Sequence, residues 1–541
     1  MRNFLARLLL GASVFVLSAT AVVSAQTSAT PAPAAAPTST PAAGNPIKLS
    51  GNLRAFYFTR SNAVNCDSIV PTLLPKPSAG TTGIPCNATA FNSGGKIHAD
   101  YQFGKTPFSL GASYFGAEPF GANGRNPGFN PRIDNSVPGY EISLLGEAYL
   151  QYKNKFVTGQ VGREVINTPW ANASDSRITP VSFQGAWISG NVSPTVTLGA
   201  YYMGRFRSRT TSAFYNSTLL TSCNQQTPIA GYFQPSPPAA GSTPLAGADP
   251  CANPLARQSS KGFAMFQVTK KFNPTWVANI YQYNVYDVVN ITHIDTKYNF
   301  LPKAATNPFL AAQYIAESDT GRALAGAIHA HMFGLQYGMS LGHNIDFAAG
   351  YNQSPQTVSV AAPGKCAQIP GGVFGGVAGP QVTGYPVGTV YCYGGGIASP
   401  YTDSYATDPL FTTQISQGMA DVHKPGTGLK AALTFQTNDR RFKAIVSGAQ
   451  YYYGLPVGIA PGTPGYTSGQ IASSQANAVD NRKELNVDVT YFFNKVDPKK
   501  TYRGFSLRHR YADRSTFFGA GATATSNPDF KYNRTQLEFT F

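Results

Sequence analysis

The chain has 541 residues and a formal charge of +16, yet only 12% of its residues are charged, while Gly (54), Tyr (30) and Phe (34) are abundant. No apolar run after residue 25 is long enough for a transmembrane helix, which excludes a helical membrane protein. No phosphate-binding loop or cofactor fingerprint occurs either, so neither a cofactor nor a nucleic-acid partner is expected.

Residues 1–25 read as a secretory signal: Arg2 and Arg7 precede a short apolar stretch, and Val23-Ser24-Ala25 closes it with small residues. Residues 26–46 are Ala, Pro, Ser and Thr with no large apolar group, and read as a disordered periplasmic tail. From residue 47 to 541 the dominant pattern has period two. It predicts eighteen strands at 47–60, 94–104, 107–117, 141–153, 155–166, 182–192, 195–209, 261–273, 275–290, 291–301, 309–319, 325–340, 343–355, 427–438, 440–454, 482–494, 502–515 and 532–541. Their connections alternate between tight turns and long loops. A secreted, strand-rich chain with little charge and such a rhythm predicts an all-β, antiparallel, up-and-down barrel in the bacterial outer membrane, with short periplasmic turns and long extracellular loops. The last strand, YNRTQLEFTF, ends on Phe541 and resembles the signal by which barrel-assembly machinery recognises its clients.

The segment from Glu141 to Trp187 shows the plan most clearly. Ala148, Leu150 and Tyr152 alternate with Glu147 and Gln151, and Lys153-Asn154-Lys155 is too short for a helical crossover, so the next strand returns antiparallel. A polar excursion bearing Asp175, Ser176 and Arg177 follows. Six cysteines fall in the long loops, Cys66 with Cys86, Cys223 with Cys251 and Cys366 with Cys392. One disulfide per loop is the simplest of their pairings in an oxidising compartment, each worth about 3 kcal/mol.

Eighteen strands enclose a lumen too wide for side chains to fill. Selectivity then falls to inward loops and wall charges. Arg205, Arg207 and Arg209 alternate with Tyr202 and Phe206, and Arg508 and Arg510 with Leu507 and Tyr511. Arg534 and Lys430 take the inward faces of their own strands. Such rows cannot face lipid, where each charge costs about 2–4 kcal/mol at the midplane. They line the lumen, or sit at the membrane edge near lipopolysaccharide phosphates. The net charge, +14 without Arg2 and Arg7, favours anions.

The block LGEAYLQYKNKFVTGQVGREVINTPWANASDSRITPVSFQGAWIS resembles the OprD family of substrate-specific outer-membrane porins. The resemblance rests on Gly162, Arg163, Thr168, Pro169, then Asp175-Ser176-Arg177, Pro180, Phe183 and Gly185, and more weakly on GFSLRHRYA at 504–512. It implies eighteen strands, a constricting third loop holding Asp175, Ser176 and Arg177, a basic ladder along the lumen, and passive uptake of small anionic or zwitterionic solutes such as amino acids or aromatic acids, by a monomer or loose trimer. Glu147 is expected on the lumen wall opposite that loop, as a selectivity group or as a partner for Arg163. The cysteine pairs, the Ala/Pro tail and the very long loop 356–426 depart from the family pattern.

Two other functions compete. A surface protein or adhesin would use the exposed loops. A barrel enzyme would need a Ser/His or Asp/His set near the outer rim, and the seven His are scattered. Gly338-Met339-Ser340-Leu341-Gly342 matches a nucleophile-elbow pattern but lies on a strand before a short turn, where that motif has no helix to lead into. His329 and His331 share a strand face without a third ligand, so no metal site is expected.

Overall fold

The computed structural model describes residues 46–65, 85–120, 141–174, 177–220, 259–324, 328–355, 357–361, 374–378, 390–402, 407–416, 418–422, 425–453, 480–518 and 530–541. Eighteen strands form one sheet in which each pairs antiparallel with its neighbours along the chain. They are β1 (Ile47–Asn65), β2 (Pro85–Gln102), β3 (Phe108–Glu118), β4 (Ile142–Lys153), β5 (Val157–Glu164), β6 (Ser182–Ser193), β7 (Val196–Arg207), β8 (Phe263–Asn273), β9 (Trp276–Val285), β10 (Val289–Asn299), β11 (Phe309–Asp319), β12 (His329–Gly342) and β13 (Ile345–Ser354). Three short strands, β14 (Thr357–Ala361), β15 (Phe374–Ala378) and β16 (Val390–Gly394), make a separate small sheet. The barrel resumes with β17 (Gly426–Gln436), β18 (Phe442–Tyr453), β19 (Asp480–Phe492), β20 (Gly504–Phe518) and β21 (Phe530–Thr540). The register of β21 on β1, from Asn52↔Thr540 to Ser61↔Lys531, closes the barrel. Closure leaves no strand edge to meet hydrocarbon.

All eighteen predicted strands are present. The first hairpin is longer than the period-two pattern indicates, because β1 and β2 stay paired out to Asn65↔Pro85 through polar residues that carry no alternation. Leu485, Leu507, Leu537 and Ile280 are exposed on the outer face, while Ser447, Asn486 and Gln536 are buried facing in. The turns at one end are tight. His343 and Asn344 connect β12 to β13 with φ of 50° and 63°, the pair of positive values that a type I′ hairpin turn requires.

The expectation of disulfide-closed loops is corrected. No disulfide is found among the described residues. Cys66, Cys223, Cys251 and Cys366 lie outside them. Cys86 and Cys392 are not loop residues but strand residues, opposite Val64 in the first hairpin and Ser359 in the small sheet. The signal segment 1–25 and nearly all of the tail 26–46 also lie outside the described residues.

The outer face predicts a simple stability test. Leu485→Arg, at mid-strand and half exposed to lipid, is expected to cost about 2–4 kcal/mol in a urea folding titration in lipid vesicles. A loss below about 1 kcal/mol would mean that this face does not contact hydrocarbon.

Candidate functional site

The inward faces of β19, β20, β21 and β1 form a continuous basic wall. Arg510 stands opposite Asp488 on one side and Arg534 on the other, and Arg534 stands opposite Phe58. Arg508 donates to Asp488 through Nε at 2.7 Å and a terminal nitrogen at 2.5 Å, and Arg510 Nε donates to the same carboxylate at 2.8 Å. Two guanidinium groups therefore share one buried carboxylate. Four residues further along the same pair of strands Arg514 faces Glu484, and Arg54 pairs with Glu538 at 3.0 Å. Aromatic rings back several of these cations. The Arg534 guanidinium lies 4.9 Å from the Phe56 ring centre and that of Arg482 lies 5.3 Å from Tyr453.

The third loop folds inward between β5 and β6. Trp170 is fully buried, with its ring nitrogen donating to His293 at 3.2 Å and its backbone nitrogen to the Tyr283 hydroxyl at 3.3 Å. Arg54 donates to the Arg177 carbonyl at 3.0 Å, and the Arg177 guanidinium lies 5.9 Å from the Phe58 ring centre. Arg207 donates to the Pro180 carbonyl (2.7 Å), the Thr179 hydroxyl (2.8 Å) and the Thr211 carbonyl (2.8 Å), and Arg209 donates to the Ser174 hydroxyl at 2.9 Å. Arg207 and Arg209 thus clamp the third loop. Asp175 and Ser176 lie outside the described residues.

Arg205 is placed differently from the expected ladder. A bulge at Gly204 breaks the alternation, since Gln184 pairs with Arg205 but Gly185 pairs with Met203. Phe206 consequently turns inward, buried against Phe183 and Tyr401, and Arg205 is exposed on the outward side shared with Tyr202. Arg163 also belongs to the outer face, in register with Ala148; it donates to the Leu145 carbonyl at 3.3 Å and lies over Phe214. Strand parity puts Glu164 inside instead, where it accepts from the Trp187 ring nitrogen at 2.7 Å. Glu147 does face the lumen, but its partners are Lys96, Ser113 and the Val165 backbone nitrogen. It anchors the start of the third loop.

A second inward segment, within 396–418, was not legible as such in the sequence. Ala398 N donates to Glu317 at 2.6 Å, and Thr412 N to Asn352 at 3.0 Å. Ser416 donates to Glu484 through both backbone nitrogen (2.8 Å) and hydroxyl (2.7 Å). Gln414 accepts from Ser447 and Asn486 at 2.6 and 2.7 Å. Lys430 reaches in from β17 to the Thr413 carbonyl at 2.5 Å, so it secures this segment. Tyr401 packs among Phe183, Phe206 and Phe263, and Asn172 of the third loop donates to the Thr407 carbonyl at 2.8 Å. The two loops meet inside the barrel. Glu147, Glu164, Asp295 and Glu317 are buried on β4, β5, β10 and β11, strands outside the basic wall.

Among the described residues no group of three His, Cys, Asp or Glu could hold a metal ion. His331 lies beside the outer-face Tyr314, whose hydroxyl is 2.8 Å from its Nδ1.

Residues 156–357 match the family model for outer membrane porin, OprD family, a span that includes the Gly162–Gly185 signature. Solved structures similar to the chain include Pseudomonas aeruginosa OpdL (14% identity, TM-score 0.58) and OpdK of the same organism, with vanillate (12%, 0.57). A BenF-like porin from Pseudomonas fluorescens is also similar (12%, 0.58). Each comparison covers 92% of this chain and 98% of the other. No curated protein matches. The closed eighteen-stranded barrel is the fold of these porin structures. The likeness to the OprD family rests on residues 156–357.

Two predictions follow from the site's electrostatics. Asp488→Asn leaves the buried Arg510 and the half-buried Arg508 without their shared anion, so a loss of about 3–5 kcal/mol is expected in the same folding titration. An unchanged midpoint would show that this carboxylate does not hold the wall together. In the inward loop, burial raises the Asp408 carboxyl from its ordinary 3.8 to about 6, against hydrogen bonds from Thr413 and Leu410 and the charge of Lys430. The docked loop therefore binds this proton more tightly than a released loop would. Docking strengthens as pH falls through about 6 towards 4 and is weakest above that window. Channel recordings one pH unit below about 6 should show fewer loop-opening events than one unit above. Asp408→Asn should abolish the difference, and its persistence in that variant would assign the effect to another group.

Proposed function

We propose that the chain is a channel for passive, selective diffusion of small carboxylate-bearing molecules, such as amino acids and aromatic or other organic acids. The observation that carries this reading is the excess of guanidinium over carboxylate on the inward faces of β19 to β1, with Arg508 and Arg510 sharing Asp488. An anion entering past the third loop and the 396–418 segment meets this wall. A guanidinium binds a carboxylate through two parallel, charge-assisted hydrogen bonds. Arginines two residues apart on a strand stand about 7 Å apart, so a carboxylate can leave one while approaching the next. Multiple weak sites of this kind allow entry without trapping. The role of the third loop, including Asp175, Ser176 and Arg177, is to narrow the path and set the approach to the wall.

Arg508, Arg510 and Arg534 are assigned to the path itself, whereas Arg207, Arg209 and Lys430 hold the loops that shape it. The vanillate in the OpdK structure is a small aromatic acid, in keeping with this solute class. Secretion by the 1–25 leader, assembly through β21 and contact of the outer face with lipid and lipopolysaccharide complete the proposal.

The test is the reversal potential of the purified chain in a planar bilayer under a salt gradient. The natural protein is expected to prefer anions, and Arg508→Ala/Arg510→Ala to lose most of that preference while still conducting. An unchanged preference in the variant would remove these arginines from the path. A folded protein that conducts nothing would end the transport reading.

A further inference from the structure

The positive charge of the chain is not concentrated in the lumen alone. Two neighbouring short turns, 437–441 between β17 and β18 and 493–503 between β19 and β20, carry Arg440, Arg441, Lys495, Lys499, Lys500 and Arg503. The turns form one surface, since Phe492 N donates to the Arg441 carbonyl at 2.7 Å and Val496 N to the Asp439 carbonyl at 3.4 Å. Their two acids are engaged within the turns. Asp439 accepts from the Thr437 hydroxyl (2.6 Å) and the Arg441 backbone nitrogen (3.1 Å). Asp497 accepts from the Lys499 backbone nitrogen (2.9 Å) and lies 3.7 Å from the Lys500 ammonium.

Directly beside this surface, on the outer face, runs a chain of aromatic rings. Tyr491, Phe493, Phe505, Phe539 and Phe541 follow one another with centroids 5.4, 6.5, 4.7 and 5.9 Å apart. Phe493 and Phe505 are about half exposed, at 48% and 49%. Arg441 joins the two features, donating to the Tyr491 hydroxyl and the Phe493 carbonyl, each at 2.8 Å, above the Tyr491 ring. Aromatic girdles of this kind sit at the headgroup level of a bilayer. The short-turn end of such a barrel is periplasmic. The cations are thus held at the depth of lipid phosphates in the periplasmic leaflet, and outside the lumen.

We propose that turns 437–441 and 493–503 form a binding site for the headgroup of an anionic phospholipid. The phosphate lies among Arg441, Lys499, Lys500 and Arg503, and the glycerol and upper acyl chain rest on the Phe493–Phe505–Phe539 belt. A lipid with two phosphates fits the spread of charge over both turns better than one with a single phosphate. A soluble anion gains nothing from the aromatic belt, which is why lipid is favoured over free phosphate or an anionic glycan.

The experiment compares the full chain in bilayers of phosphatidylethanolamine alone and with added cardiolipin, following thermal unfolding. The expected result is a higher midpoint with cardiolipin. In Lys499→Gln/Lys500→Gln/Arg503→Gln at least half of that gain should be lost, with no difference between the proteins in phosphatidylethanolamine alone. An equal gain in both proteins, or none in the natural one, overturns the proposal. So does an equal gain from soluble glycerol phosphate, which would assign the turns to a free anion. If the triple variant does not refold, native mass spectrometry of the natural protein decides instead. Cardiolipin retained through detergent exchange and displaced by high salt supports the site, and cardiolipin that is lost, or indifferent to salt, refutes it.

Discussion

Hydrocarbon offers no hydrogen-bond partner, and that constraint organises the whole molecule. It requires every backbone group of the spanning strands to be paired, which the closure of β21 on β1 accomplishes. It also sends every charged side chain on a spanning strand inward or to a membrane edge. Once Arg54, Arg510, Arg514 and Arg534 are confined to one wall, they are compensated by the carboxylates of Glu538, Asp488 and Glu484, by aromatic faces and by the loops that fold in. The inward loops are therefore part of the electrostatic solution as well as an obstruction. Arg54 donates to the third loop, Glu484 accepts from the second inward segment, and the wall and the loops hold each other in place.

The strands were legible because a face towards lipid and a face towards water impose a period of two wherever the strand crosses the membrane. The same parity puts Arg508, Arg510, Arg534 and Glu147 on the inward faces of their strands. It failed where local geometry breaks the period. One bulge residue at Gly204 inverts the parity of Phe206 and Arg205, and no composition cue distinguishes that glycine from those that pair normally. Arg163 was misplaced because its neighbour Glu164 is also charged, so either parity satisfied the pattern. Arg54 went unnoticed because β1 is aromatic on both faces, with Phe56 and Phe58 inside and Tyr57 outside. The segment 396–418 carries no periodicity at all. Its position is fixed by hydrogen bonds to Glu317, Asn352 and Glu484, residues distant in sequence.

The distribution of charge gives the barrel a polarity along its axis as well as across it. Around the barrel, basic groups collect on β19 to β1 and buried acids on β4, β5, β10 and β11. Along the axis, the short-turn end is cationic at its membrane rim, while the opposite end holds the long loops. In the proposed function, a solute meets the first asymmetry. In the proposed lipid site, the second meets the membrane. Net charge alone, taken as a property of the whole chain, merges these two roles.

The central claim is that a carboxylate is what this lumen selects. It is tested most directly by the swelling of vesicles containing the natural protein when glucuronate or glucose, solutes of the same size, is supplied outside. Faster entry of glucuronate is the predicted result. Equal rates, or faster entry of glucose, would show that the arginine wall does not govern what passes and would contradict the account.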